Sequence, residues 1–129
     1  MSSTAQFLTS TELAQGLAGF ALEKKAHEVL ELDMRGLVGY TDFFLICSGN
    51  TDRQVKAIHD AIHEGAKREL GILPRRVEGV GGAQWVLMDY LDVVVHIFTP
   101  VTREFYRLEQ LWGEAPARAV VEATMDAVP

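Results

Sequence analysis

Two aspartates, Asp89 and Asp92, stand three residues apart beside a β-rich run, a spacing that could hold a divalent cation between two carboxylates across a turn. Asp is also favoured near tight turns for local hydrogen bonding, and no third ligand stands nearby. Ser48-Gly49-Asn50-Thr51 leads from an apolar run into a helical pattern, where free amides could attract an anion, although the same residues make an ordinary turn before a helix. Gly79-Val80-Gly81-Gly82 shares its glycines with phosphate loops but lacks the Lys-Ser/Thr and the helix that should follow. His96 sits in a Val-rich run, where a hydrogen-bonded structural role is expected. No Ser or Cys stands with a paired base. The residues therefore predict no catalytic group, no metal and no cofactor.

Trp85, Met88 and Tyr90 offer a different chemistry. In an extended run Trp85, Leu87 and Asp89 point to one face and Val86, Met88 and Tyr90 to the other. Each face carries a large side chain, and a few helices can fully cover only one. Trp85 is then either a core residue under a helix or, like Tyr90 and Met88, an anchor for a protein partner.

The elements that must position these residues follow from caps and periodicity. Thr9 and Glu12 have capping-box spacing, and Leu13, Leu17, Phe20 and Ala21 continue at helical steps, which predicts a helix over residues 11–25. Residues 28–33 read as a strand with one wet face, and residues 42–47, apolar nearly throughout, as a strand covered on both faces. Thr51 and Gln54 repeat the capping spacing ahead of Val55, Ile58, Ile62, Ala66 and Leu70, a second helix that Gly71 stops. A short strand over residues 75–78 precedes a hairpin of residues 84–89 and 92–98, joined by Tyr90-Leu91. Thr99-Pro100 opens a last helix whose apolar stripe is Phe105, Leu108, Leu111 and Trp112. The fold class is α/β: one domain over residues 1–113, with a mixed sheet of about five strands flanked by helices, and a mobile tail with at most a short helix over residues 114–129.

Composition limits the partners. Of 129 residues 48% are hydrophobic, enough for a real core, and 12 Lys+Arg against 18 Asp+Glu leave a net charge of −6. That balance argues against nucleic acid as the principal contact and for a basic partner. The single Cys47 excludes an internal disulfide and a zinc cluster and reads as a buried small hydrophobe in a reducing compartment. No run is long enough to span a membrane, and the first residues lack the basic start of a secretory signal, so the cytoplasm is the expected location.

Four strings then identify a family: Asp33-Met34-Arg35-Gly36-Leu37; the stretch from Tyr40 through Cys47-Ser48-Gly49-Asn50-Thr51-Asp52-Arg53-Gln54-Val55; Trp85-Val86-Leu87-Met88-Asp89-Tyr90 followed by Asp92 to Phe98; and Arg103-Glu104-Phe105-Tyr106-Arg107-Leu108-Glu109 through Leu111-Trp112-Gly113. In this order they closely resemble the ribosomal silencing factor, or Iojap, family. The resemblance implies a nucleotidyltransferase-like α/β domain without a working active site. It also implies binding to the large ribosomal subunit through ribosomal protein uL-fourteen, a steric block to subunit joining that lowers translation when nutrients run short, and a possible homodimer. The family usually has Gly where this chain has Leu91, and positive φ is costly for Leu, so another or longer turn is expected here. Residues and resemblance together place the partner surface at Trp85, Met88, Asp89, Tyr90 and Asp92, with Glu104 on the last helix. The competing expectation is a metal-dependent nucleotidyl-transfer enzyme built on the Ser48-Gly49 turn and the Asp89/Asp92 pair.

Overall fold

A computed structural model describes residues 8–121. The order is α1 (Ser10–Glu23), β1 (His27–Asp33), β2 (Phe43–Ser48), α2 (Asp52–Gly65), β3 (Arg76–Glu78), β4 (Trp85–Asp89), β5 (Val93–Phe98), α3 (Pro100–Tyr106), α4 (Leu108–Leu111) and β6 (Ala117–Ala119). The strands form one mixed sheet in the order β3-β4-β5-β2-β1-β6. Only the central pair β2 and β5 runs parallel; every other pairing is antiparallel. Among the described residues no helix is long and apolar enough to cross a membrane.

The capping box at α1 forms as the sequence predicts, at α2 only its Thr51 half does, and at α3 Thr99 stands at the cap position without a side-chain cap bond. Thr9 accepts from the Glu12 amide and Glu12 Oε1 from the Thr9 amide, each at 3.0 Å. At α2 the Thr51 hydroxyl accepts from the Gln54 amide at 3.1 Å. Gln54 itself bonds elsewhere: its Oε1 accepts from the Asn50 amide and its Nε2 donates to the Lys24 and Lys25 carbonyls, fastening the start of α2 to the end of α1. Beyond Gly65 the helix widens into a π-turn over Ala66–Leu70, closed by Gly71 at φ 71°. Gly79 is required by space as well as by its φ of 89°, because a Cβ there would lie 2.1 Å from the Trp85 carbonyl oxygen.

Alternation along the strands divides the interior in two. Phe43, Leu45, Cys47, Val86, Met88, Val93, Val95 and Ile97 pack with α1 and α2 in the larger core. Phe44, Ile46, Val94, Phe98, Leu32 and Met34 face the other way, where Val38 from the loop before β2 and Leu108, Trp112 and Ala115 from the end of the chain pack against them.

Three expectations are corrected. The sheet has six strands, not about five, because Ala117–Ala119 pairs with β1, and Arg118 Nε donates to Glu31 at 2.9 Å. A strand thus stands where a tail with a short helix was expected; residues 122–129 of that tail lie outside the described residues. The last helix is not continuous: Arg107 takes φ 48° and splits it into α3 and α4. This break rotates the expected apolar stripe apart, so that Leu108 is buried while Phe105 and Leu111 face solvent.

Candidate functional site

The hairpin carries most of the expected site residues but does not gather them on one surface. Trp85 opens β4 and Asp89 closes it, four residues or about 13 Å away at the rise of an extended strand. Met88 is fully buried in the larger core, so its side chain is not available to a partner. Tyr90 is only 7% exposed, and its hydroxyl is buried with no partner among the described residues; burial raises its pKa. Both residues are therefore corrected from anchors to core: their strand face is the one that the long helices cover.

The acids separate as well. Asp89 is buried and fully occupied: Oδ2 accepts from Arg75 Nε at 3.3 Å and Oδ1 from the Leu91 amide at 2.8 Å. The second bond holds Leu91 at φ 76°, which explains how a Leu is kept in a conformation that favours glycine. Asp92 is exposed at the tip, its carbonyl accepting from the Asp42 and Phe43 amides. With Asp89 committed to Arg75 and the turn, the pair does not present two free carboxylates to a cation. Among the described residues no group of three or more His, Cys, Asp or Glu is arranged to hold a metal.

Trp85 lies in a different setting. Its indole Nε1 donates to His96 Nδ1 at 3.1 Å, and its ring lies 4.7 Å from Tyr106, 5.0 Å from Phe98 and 6.0 Å from His96 between centroids. His96 continues to Phe44 at 4.8 Å, Phe44 to Trp112 at 6.2 Å and to Tyr40 at 6.4 Å. A band of rings thus crosses β4, β5 and β2 on the less covered face, in the tilted and edge-on arrangements that aromatic quadrupoles favour. Burial lowers the His96 pKa to about 4, so the imidazole is neutral at physiological pH and serves as the acceptor that orients Trp85. Cys47, on the opposite face, has its thiol pushed up to about 12 by burial, in keeping with an inert small hydrophobe.

Helix α3, beside Trp85, is inverted relative to an ordinary surface helix. Its Arg103 side chain is buried, while Val101 and Phe105, one turn apart, are 80% and 77% exposed. Tyr106, 49% exposed with its ring 4.9 Å from that of Phe105, extends the patch; Leu111 on α4 is 71% exposed, and Glu104 stands exposed between Val101 and Phe105 in the sequence. Neighbouring exposed apolar side chains of this size mark contact surfaces on soluble domains. Sequence reasoning missed Val101 outright and assigned Phe105 and Leu111 to the core. The available signal was Val101 and Phe105 at i,i+4 with Arg103 between them, a pattern that cannot bury both kinds of side chain on one face.

Comparison with known proteins bears on this arrangement. The family profile described as "Ribosomal silencing factor during starvation" matches residues 8–128. The chain belongs to the ribosomal silencing factor family. Ribosomal silencing factor RsfS of Halalkalibacterium halodurans is 45% identical over 109 residues, 84% of this chain and 92% of that protein. The mouse protein named mitochondrial assembly of ribosomal large subunit protein 1 is 29% identical over 101 residues, 74% of this chain and 43% of that protein. A crystal structure of a Chromobacterium violaceum protein, 29% identical, superposes with a TM-score of 0.79 over 90% of this chain and 96% of that one. The silencing-factor resemblance and the mixed α/β fold read from the sequence are both borne out.

Proposed function

We propose that this chain is a non-catalytic silencing factor that binds the large ribosomal subunit through ribosomal protein uL-fourteen and, by occupying the face where the small subunit docks, blocks subunit joining. Family membership supports the ribosomal context, and the name of the mouse relative points to the large subunit. The observation that carries a docking mechanism is the inverted helix α3, which spends apolar side chains on solvent beside the Trp85 ring band. A steric blocker needs such a surface and no nucleophile: the rings and aliphatic groups supply affinity, and exposed acids steer.

On this reading Trp85 and Glu104 belong to the docking surface together with Val101, Phe105, Tyr106 and Leu111, while Asp92 contributes charge from the far end of the hairpin. A net charge of −6 favours a basic ribosomal protein over the surrounding RNA. The function is exercised in the cytoplasm, under nutrient limitation, by one copy or by a homodimer.

Co-sedimentation with purified large subunits tests the proposal. The chain is expected to bind at low salt, to be released as salt rises because charge complementarity is screened, and to keep small subunits from joining. No binding to large subunits at low salt overturns it.

A further inference from the structure

On α2, away from the ring band, His59-Asp60-Ala61-Ile62-His63 puts two imidazoles one helical turn apart on the same side of the helix. Their ring centroids lie 5.8 Å from each other. Both side chains are half-buried and open onto a cavity whose other walls are Asp60, Glu64 and Val77. His59 Nδ1 donates to Asp60 Oδ1 at 2.9 Å, since a carboxylate oxygen accepts. That bond fixes the proton on Nδ1 and leaves the lone pair of Nε2 free. Neither this nitrogen nor those of His63 are among the buried atoms left without a partner, so they are open to solvent.

Imidazoles at i and i+4 of a helix form a chelate, the arrangement by which helical histidine pairs hold zinc. Two zinc–nitrogen bonds of ~2.0–2.1 Å bring the two nitrogens within ~4 Å of each other, a span that rings 5.8 Å apart reach by side-chain rotation alone. Asp60 supplies the support such a ligand needs behind it: a carboxylate on the far ring nitrogen sets the tautomer and raises the basicity of the near one. Exposed Glu64, next to His63, can add an oxygen. Among the described residues no group of three ligands is preformed, so water completes the shell.

Donor type selects the ion. Imidazole nitrogens suit zinc, copper and nickel, whereas magnesium and calcium take shells of oxygen. Charge agrees: the pair stands between Asp60 and Glu64, and none of the five described residues lining the cavity is a Lys or Arg. We infer that His59 and His63 chelate one divalent transition cation of the zinc class per chain, joining two successive turns of α2. The sequence-based expectation of no metal weighed the Asp89/Asp92 pair and the single cysteine, not these histidines. Because α2 packs on the sealed face of the sheet, the inference goes beyond the docking reading and does not depend on it.

The test is a calorimetric titration of the untagged full chain with zinc chloride, with magnesium chloride as the oxygen-preferring control and the imidazole signals of all four histidines followed by NMR. Zinc is expected to bind saturably at submillimolar concentration, one ion per chain, and to move the His59 and His63 signals while His27 and His96 stay in place. Magnesium is expected to give no saturable heat. His59→Gln and His63→Gln should each weaken zinc binding about a hundredfold, because a lone imidazole loses the chelate. Asp60→Asn, which keeps both ligands, should weaken it about tenfold. The inference is overturned if zinc does not bind saturably, if magnesium binds as tightly, or if the signals that move belong to His27 or His96. It is overturned equally if a folded single-histidine variant binds within about twofold of the parent, the mark of an adventitious one-imidazole contact. Should neither variant fold, the imidazole signals of the unaltered chain decide alone.

Discussion

The two faces of the sheet are made from alternate residues of the same strands and reach opposite ends. On one, Leu45, Val86, Met88, Val95 and Ile97 meet two helices of 14 residues and are sealed. On the other, Phe44, Trp85, His96 and Phe98 meet helices of 7 and 4 residues, and the rings run out to solvent at Tyr40 and Tyr106. The sealed face is mostly aliphatic and gains its stability from close packing, whereas the open face sets a band of rings among its aliphatic residues, with flat surfaces and a polar handle that suit a surface exchanging one neighbour for another. Substitutions on the two faces should therefore fail in different assays.

The largest effect belongs to the sealed face. Ile62→Ala, which empties a fully buried position on α2, is expected to cost about 2–5 kcal/mol of unfolding free energy by urea titration. The fraction still folded should bind large subunits as tightly as the parent; a loss of affinity in the folded chain would erase the division between the faces.

Acid probes the open face through His96. Its pKa is about 4 when folded against 6.5 ordinarily. Above about pH 6.5 the ring is neutral in both states and titration contributes no difference. As pH falls from there towards 4 the unfolded chain takes the proton first, and stability drops by up to about 3 kcal/mol. Urea midpoints across this range should show the decline, and His96→Gln, whose amide oxygen can still accept from Trp85, should flatten it.

A smaller change should appear in binding alone. Phe105→Ala is expected to weaken association with large subunits by about 1–3 kcal/mol while altering stability by less than about 0.5. A thermal midpoint that falls along with affinity would place Phe105 in the fold and not at a contact. The smallest effect is at the hairpin tip, where Leu91→Gly relieves a φ of 76°; it is expected to stabilise the chain by about 1 kcal/mol or less, since glycine gives back part of the gain as unfolded-state entropy.

What could be read beforehand divides along the same line. The sealed face was legible: helical steps in Leu13, Leu17, Val55, Ile58 and Ile62, capping pairs at Thr9 and Thr51, and unbroken apolar strands each announce themselves within a few residues. So was the alternation of Trp85 against Met88. The rest depended on contacts far apart in the chain. Ala117-Arg118-Ala119 has no strand pattern and is extended because β1 and Glu31 receive it. Arg107 carries no breaker signal, yet its φ of 48° decided which of Phe105, Leu108 and Leu111 went inside. Arg103 was legible as part of the family string, but not as a buried charge, because its partners Glu28 and Ser48 lie 75 and 55 residues away. Met88 and Tyr90 were misplaced because residue type favours interfaces while strand parity, here the stronger constraint, turned them inward.

The pairing of β6 with β1 has a further consequence. A sheet that stops at an exposed strand offers a row of unpaired amides and carbonyls on which another chain can polymerise. Here both borders are three-residue strands bearing charge, Arg76 and Glu78 on one side and Arg118 on the other. Cutting the chain after Gly113 would strip one border and bare the seven residues of β1. The last described segment thus works as a selvedge, the woven margin that keeps a fabric from being extended by its neighbour.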